Sequence, residues 1–336
     1  MRYAIYGAGA MGTVLGAYIA RAGVDIDLIN RNRAHVQALR ERGAHIVGTV
    51  DFTQKVTALL PEEMEGKYDV ILLMTKQRHN GEIVPFLKEH LAEDGALCTC
   101  QNGLPEPMIA EIVGADRTLG CAIAWGATFH GEGVSQLTSE PSALTFSLGA
   151  LGRGNRLHEV RKLLECMGTV EVEQNFLGAR WSKLLINSAF SGLSTVTGET
   201  FGSVSRAHAS RKVALAIIRE CVDVAAAAGI AVCPVQGHRI AKMFGGRGPF
   251  SRALAWMLLP VAMKKHALLI SSMLQDLRAG KECEIDFING VVCEYGQKFG
   301  VPTHFNARTV QIVHAIERGE RAITAENLAL YADLFR

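Results

Sequence analysis

The chain has 336 residues, 49% hydrophobic and 20% charged, with a net charge of +2. That length and apolar content supply one large core or two ordinary ones and exclude intrinsic disorder. The near-neutral balance gives no global pull toward nucleic acid or a membrane surface.

Residues 3–6 form a short apolar run of strand type, and Gly7, Gly9 and Gly12 follow as G-x-G-x-x-G. An apolar stretch rich in helix formers, 11–20, comes next. Strand, glycine turn and helix stand in the order a dinucleotide fold requires. Gly7 serves the tight turn, Gly9 the approach of a pyrophosphate, and Gly12 the close packing of helix on strand. Ala8, Ala10 and Met11 share that loop, whose helix N-terminus offers free N–H groups and partial positive charge. The same reading explains the apolar start better than a signal peptide does.

Downstream, 25–30 reads as a strand and 33–42 as a helix. The segment 45–57 reads as two short strands, 69–74 as a buried parallel strand, 82–91 as a helix and 96–100 as a strand. Further strands are expected at 119–128, 133–137, 144–149 and 170–172, with a helix at 155–167. The alternation predicts an open, mostly parallel α/β sheet of Rossmann type over 1–175. From there the periods are helical: 178–197, 206–228, 250–279, 284–299 and 303–318. A second, all-helical domain is expected over 176–336.

The eight cysteines are scattered, as free thiols of a cytoplasmic protein would be. Cys98 and Cys100 sit two apart, but no Cys/His pair accompanies them, so no metal site is expected. The greasy run 253–263 is too short to span a bilayer and holds Pro260.

The end of the second strand sets cofactor choice. An acid there holds both ribose hydroxyls of NAD. Asn30, Arg31 and Arg33 stand here instead. An arginine can pair with a 2′-phosphate, which favours NADPH; the alternative is a solvated basic turn. Lys76 and Asn102 follow two later strands at the carboxyl edge, where ligands bind in open α/β sheets. In the second half, Lys183, Asn187 and Ser191 recur at i, i+4 and i+8 among apolar neighbours, so they line one helical face. Such a line is either an interhelical network or a site. A half-buried lysine facing a ketone can polarise the carbonyl and donate a proton. The acids Glu282, Glu284 and Asp286 suit a helix N-terminus.

Taken in order, the Gly-Ala-Gly-Ala-Met-Gly loop, Arg31, Lys76, Gln101-Asn-Gly, Lys183-x-x-x-Asn187, Ser272-Met-Leu-Gln-Asp and Glu284-Ile-Asp-Phe-Ile-Asn-Gly resemble ketopantoate reductase (2-dehydropantoate 2-reductase) nearly end to end. The resemblance implies NADPH contacts from Gly7 through Gly12 and from Arg31, Lys76, Asn102 and Glu284. It implies Lys183 as proton donor, Asn187 and Ser272 as substrate ligands, and 2-dehydropantoate reduced to pantoate in pantothenate biosynthesis. Ser191, by its spacing, joins the substrate set. The family helix usually continues with a second asparagine and a proline, where this chain has Ser191 and Gly192; Phe201 stands where a later asparagine is usual. Those changes favour a bulkier or less hydroxylated keto acid as the alternative substrate; a non-catalytic NADPH sensor is the alternative of another class. Phe201 is expected to close the volume faced by Asn187 and Ser191. The long segment 244–265 reads as extra core, a lid or the surface of a homodimer. Small 2-oxoacids, rather than nucleic acid or membrane, are the expected partners.

Overall fold

The computed structural model describes residues 1–235 and 237–335. The chain divides into two compact units, Met1–Phe176 and the remainder from Leu177.

In the first unit, β1 (Tyr3–Tyr6) leads into α1 (Ala10–Arg21), β2 (Asp27–Ile29) and α2 (Arg33–Arg42). Three strands follow, β3 (Ala44–Gly48), β4 (Phe52–Gln54) and β5 (Thr57–Leu59), where two were expected. Then come β6 (Tyr68–Leu73), α3 (Asn80–Glu89), β7 (Leu91–Thr99), α4 (Glu106–Val113) and β8 (Thr118–Ile123). The unit closes with β9 (Ala127–Gly131), β10 (Val134–Leu137), β11 (Thr145–Ala150), α5 (Leu157–Glu165) and β12 (Thr169–Val172).

The main sheet has eight strands in the order β12–β11–β8–β7–β6–β1–β2–β5. Every neighbouring pair is parallel except β8 with β11. Chain order reverses at β1, flanked by β2 and β6, so the crevice between the carboxyl ends of β1 and β6 is the switch point where ligands bind in such sheets. β6 is nearly all buried, as a continuous apolar run in a sheet covered on both faces must be.

A second sheet, β4–β3–β10–β9, was not expected. The run 119–128, read as one strand, splits into β8 and β9, and β9 leaves the main sheet to join β10. α1 packs against strands of both sheets. That explains its sequence: Gly12 through Ala17 and Ile19 are all buried, and a helix apolar on every side must be covered on every side.

The second unit is helical. α6 (Phe176–Ile186) runs through a π-turn, Asn187–Ser191, into α7 (Gly192–Thr197). α8 (Phe201–Arg206) and the long α9 (His208–Ala227) follow. The expected helix 250–279 is broken: α10 (Ile240–Phe244) precedes α11 (Pro249–Ala262), and α12 (Ser272–Arg278) starts anew on its own cap. The Ser271 hydroxyl accepts the Met273 N–H at 3.1 Å to form that cap. α13 (Asn289–Phe299), α14 (His304–Glu317) and a 3₁₀ segment, Ala325–Phe335, complete the unit. Among the described residues no helix is long and apolar enough to cross a membrane, and all eight cysteines are free thiols.

Candidate active site

In the first unit the three loop glycines answer to different causes. Gly7 has φ +103°, and a Cβ there would lie 2.7 Å from the backbone of both Met74 and Thr75. A Cβ on Gly12 would lie 2.6 Å from the Gly7 carbonyl oxygen. Both are glycines because β1, β6 and α1 approach so closely. At Gly9 a Cβ would meet nothing within 4 Å, and its φ of −81° strains no side chain. No neighbouring atom among the described residues demands a glycine there, whereas a phosphate lying against the backbone would. The N-terminus of α1, at Ala10, Met11 and Gly12, has no side-chain cap. The cradle therefore fits a pyrophosphate.

The loop is held by a clamp on one atom. The Ala8 carbonyl oxygen accepts from Asn30 Nδ2 at 2.7 Å, from Thr13 Oγ1 at 3.1 Å and from His35 Nε2 at 3.0 Å. His35 is fully buried, and its Nδ1 accepts the Gly133 N–H at 3.0 Å. Those bonds select the neutral Nε2–H tautomer. Burial lowers the His35 pKa, outweighing its bond to Ala8 O and the field of Glu132. Thr13 and His35 were missed in the sequence. The only signal was a histidine inside a short helix, which by itself means little.

Asn30 also accepts the Asn32 N–H at 2.8 Å, and Asn32 caps α2 by accepting the His35 N–H at 3.2 Å. The residue occupying the ribose-binding acid's position is thus spent on shaping the loop. Arg33 pairs with Glu62. Arg31 is exposed, and among the described residues it makes no ion pair.

After β6, Lys76 is half-buried at the head of a 3₁₀ turn, Gln77–His79. The end of β7 is tied to it by buried amides. Gln101 Nε2 donates to Thr75 O and to Asn80 Oδ1, each at 2.8 Å, while its Oε1 accepts from Thr99 Oγ1 and Asn80 Nδ2, each at 3.0 Å. Gln77 donates to the Asn102 carbonyl. Asn102 itself is half-buried, with no protein hydrogen bond to its side chain among the described residues.

In the second unit Lys183 lies on α6, one α-turn before the π-turn that Asn187 opens and Ser191 closes. All three are half-buried. The side chains of Asn187 and Ser191 have no protein hydrogen bond among the described residues. In an unbroken α-helix, positions i and i+8 drift apart by about 80° at roughly 100° per residue. A π-turn is wider, with i→i+5 bonds, and advances less per residue, so Ser191 returns toward the line of Lys183.

Other helices hold the π-turn in place. Asn289, buried at the start of α13, donates to the Ser188 carbonyl at 3.0 Å, an acceptor inside the widened turn. It also donates to Asn306 Oδ1 at 2.9 Å, and Asn306 donates in turn to Glu220 at 2.8 Å. Glu220 accepts the Phe305 and Asn306 N–H groups too. Its pKa is raised by burial, against the pull of those bonds. A Cβ on Gly192 would strike Asn289 Oδ1 at 2.8 Å, so this glycine admits the asparagine.

The chain matches the family described as "Ketopantoate reductase PanE/ApbA" over residues 3–150 and its C-terminal counterpart over 175–317. It belongs to the ketopantoate reductase family. A 2-dehydropantoate 2-reductase of Pyrococcus horikoshii is 28% identical over 323 residues, covering 94% of this chain and 98% of the relative. One from Streptococcus pyogenes serotype M3 is 26% identical over 318 residues, 93% and 97% of the two chains. Among solved structures, a PanE/ApbA family ketopantoate reductase from Ralstonia eutropha JMP134 superposes with TM-score 0.79 at 26% identity, covering 96% and 100%. A D-mandelate dehydrogenase bound to NADH and anilino(oxo)acetate also superposes at TM-score 0.79, at 24% identity and 95% and 99% coverage, a likeness of fold.

Ketopantoate reductases are oxidoreductases that use a nicotinamide cofactor on small keto acids, and this chain is an oxidoreductase of that family. Its family-signature residues are carried by both units. Gly7 to Gly12, Lys76 and Asn102 gather at the β1/β6 crevice and the neighbouring end of β7. Asn289, from the Ile-Asn-Gly stretch that the sequence left without a role, supports the π-turn. Ser272 is exposed at the first residue of α12, beside the buried cap Ser271. Glu284 is half-buried at the head of a 3₁₀ turn, Ile285–Phe287. Phe201 belongs to the core: its ring sits 5.9 Å from that of Phe190, and it is 8% exposed. This packing at the start of α8 was not read from the sequence.

Proposed function

We propose that the chain reduces a 2-oxoacid with NADPH, and that 2-dehydropantoate, giving pantoate for pantothenate synthesis, is the first substrate to test. The observation that carries this reading is the Lys183–Asn187–Ser191 line, in which the half-buried side chains of Asn187 and Ser191 have no protein hydrogen bond among the described residues. Polar groups of that kind serve a ligand better than a core.

When bound, NADPH supplies a hydride. Lys183 Nζ donates a hydrogen bond to the ketone oxygen, stabilises the charge that grows there, and gives up a proton to complete the alcohol. Asn187, Ser191 and Ser272 orient the carboxylate and hydroxyl groups. Much of the acceleration comes from holding the carbonyl in line and from preorganised donors. The uncapped N-terminus of α1 and the bare backbone at Gly9 receive the pyrophosphate, with Lys76, Asn102 and Glu284 around the dinucleotide. Arg31 takes the 2′-phosphate. Support for NADPH over NADH comes from the missing acid after β2, the commitment of Asn30 to the loop, and the exposed Arg31, which makes no ion pair among the described residues.

The deciding experiment follows NADPH consumption across a panel of 2-oxoacids that includes 2-dehydropantoate. Turnover of at least one, faster with NADPH than with NADH, is expected. Tight NADPH binding with no turnover of any 2-oxoacid would overturn the reading in favour of a sensor.

A further inference from the structure

α11 is apolar on nearly every side; its one charged residue is Arg252. α1 has the same character, and strands of two sheets cover it. A helix apolar all round has to be buried all round, yet α11 is covered on one side only. Ala255 and Leu259 are buried there. Trp256 is held by two residues of α9, with the Arg211 guanidinium 4.5 Å and the His208 ring 5.0 Å from its own ring. Those contacts fix which way the helix faces. At roughly 100° per residue, Phe250, Leu254, Met257 and Val261 fall within about 60° of one another, and their line stands about 150° from the Ala255–Leu259 edge. Arg252 falls on the far side from that line. Leu268 and Leu269 follow just past a 3₁₀ turn, Lys264–His266. The six are between 36% and 91% exposed, and they are six of the ten large apolar side chains exposed among the described residues.

At roughly 150–200 Å² for a large apolar side chain, those exposures amount to on the order of 600 Å², the upper end for an apolar patch on a monomer. A standard interface takes about 800 Å² from each partner and is apolar, with few charges, at its centre. The six side chains therefore supply most of one partner's share. A charge-free apolar line is complementary to itself. Two α11 helices crossing about a two-fold axis near Leu254 and Met257 bring the Phe250 end of each onto the Val261 end of the other. No Asp or Glu occurs from 224 to 275, so burial, rather than ion pairing, is what this face offers. A bilayer fits less well. A helix lying in a membrane surface carries Lys and Arg opposite its apolar face, whereas the opposite face of α11 is core.

We propose that this face of α11, with Leu268 and Leu269 beside it, is the contact surface for a second copy of the chain, related by a two-fold axis. Lys264 and Lys265, exposed at the end of the helix, belong to its polar rim. The inference stands apart from the reductase reading.

The test is sedimentation equilibrium of the full chain from roughly 1 to 50 µM, a range that spans association with micromolar Kd. It is run on the unmodified protein, on Phe250→Glu and Met257→Glu, and on Phe299→Glu as a control, an exposed side chain on α13. The two target side chains are themselves exposed, so neither variant empties the core. We expect a mass of twice 36.3 kDa for the unmodified chain. Association should be at least tenfold weaker in each of the two variants and unchanged in the control. A monomer throughout the range overturns the proposal. A dimer that survives both substitutions, or that the control weakens equally, also overturns it. The unmodified chain is spun as well with vesicles of phosphatidylserine and phosphatidylcholine, and should stay in the supernatant. A monomer that pellets with them overturns the proposal and makes a bilayer the occupant.

Discussion

His35 divides two jobs between its ring nitrogens, and two substitutions can separate them. Nδ1 accepts from Gly133 N–H, and Nε2 donates to the Ala8 carbonyl. In His35→Gln the amide nitrogen can still reach Ala8, but the buried Gly133 N–H loses its acceptor. An orphaned buried donor costs roughly 1–3 kcal/mol. In His35→Asn the shorter amide can stand at the Nδ1 position and keep Gly133 satisfied. Ala8 then loses one donor but keeps Asn30 and Thr13, a loss of about 0.5–1.5 kcal/mol. Gln should therefore be the more destabilising change in urea unfolding of the first unit, and Asn the more damaging to NADPH affinity measured by fluorescence titration. Acid adds a second signature. The folded pKa of His35 lies below its ordinary value of 6.5 because the ring is buried. Below that value the unfolded chain takes up a proton that the folded chain refuses, so stability falls as pH drops, by up to about 1.4 kcal/mol per pH unit. Stability is fully present above pH 6.5, and both variants should lose this limb. If Asn destabilises more than Gln, or the acid limb survives in both, the clamp does not work as described.

Arg31→Ala should weaken NADPH by roughly 1–3 kcal/mol and leave NADH nearly unchanged; equal losses for both cofactors would remove Arg31 from the 2′-phosphate. Lys183→Ala should lower kcat about a hundredfold or more with little change in NADPH affinity, the scale of a positioned acid. Near-normal turnover would assign the proton to another donor. Asn289→Ala removes the donor to Ser188 O and to Asn306 Oδ1. It should cost roughly 1–3 kcal/mol in urea unfolding and also lower kcat, because the π-turn loses its tie; unchanged kcat in a destabilised variant would make Asn289 purely structural. Burial pushes the thiols of Cys98, Cys221, Cys283 and Cys293 up, that of Cys293 to about 11. In Cys98 a bond with Cys100 adds to burial and is the larger cause. Iodoacetamide at pH 8 should therefore spare these four in the native protein and label them in urea; rapid native labelling would refute their burial.

The main sheet and the glycine loop were legible because each follows from local pattern. An apolar run, fixed glycines and a helical period stand within a few dozen residues, and no distant contact changes their meaning. The second sheet was not legible for the opposite reason. β9 and β10 are short, and β3 finds β10 some ninety residues away. Only the back of α1, apolar where a surface helix would be polar, hinted at a cover. α4 was missed because it has just eight residues and follows Pro105. The helix expected over 250–279 failed where α11 ends at Ala262 and the cap at Ser271 starts a new helix. In the candidate site, Lys183, Asn187 and Ser191 were found by spacing, yet their true alignment depends on a π-turn stabilised by Asn289, roughly a hundred residues later. The packing of Phe201 on Phe190 was not legible, because it joins α8 to the π-turn through a contact that spacing along the chain does not show.

The π-turn also constrains how this chain can change in evolution. Such a turn is one surplus residue absorbed inside a continuous helix. Deleting any single residue from 187–191 would restore an α-helix. Five residues of π-turn sweep about the same angle as four of α-helix, so Leu193 and Val196 would stay in the core and Gly192 would stay opposite Asn289. The segment can therefore gain or lose one residue while α7 keeps its facing. Comparisons among relatives can place a single gap inside it, and a descendant that shortened it would keep α7, α13 and α14 as they are.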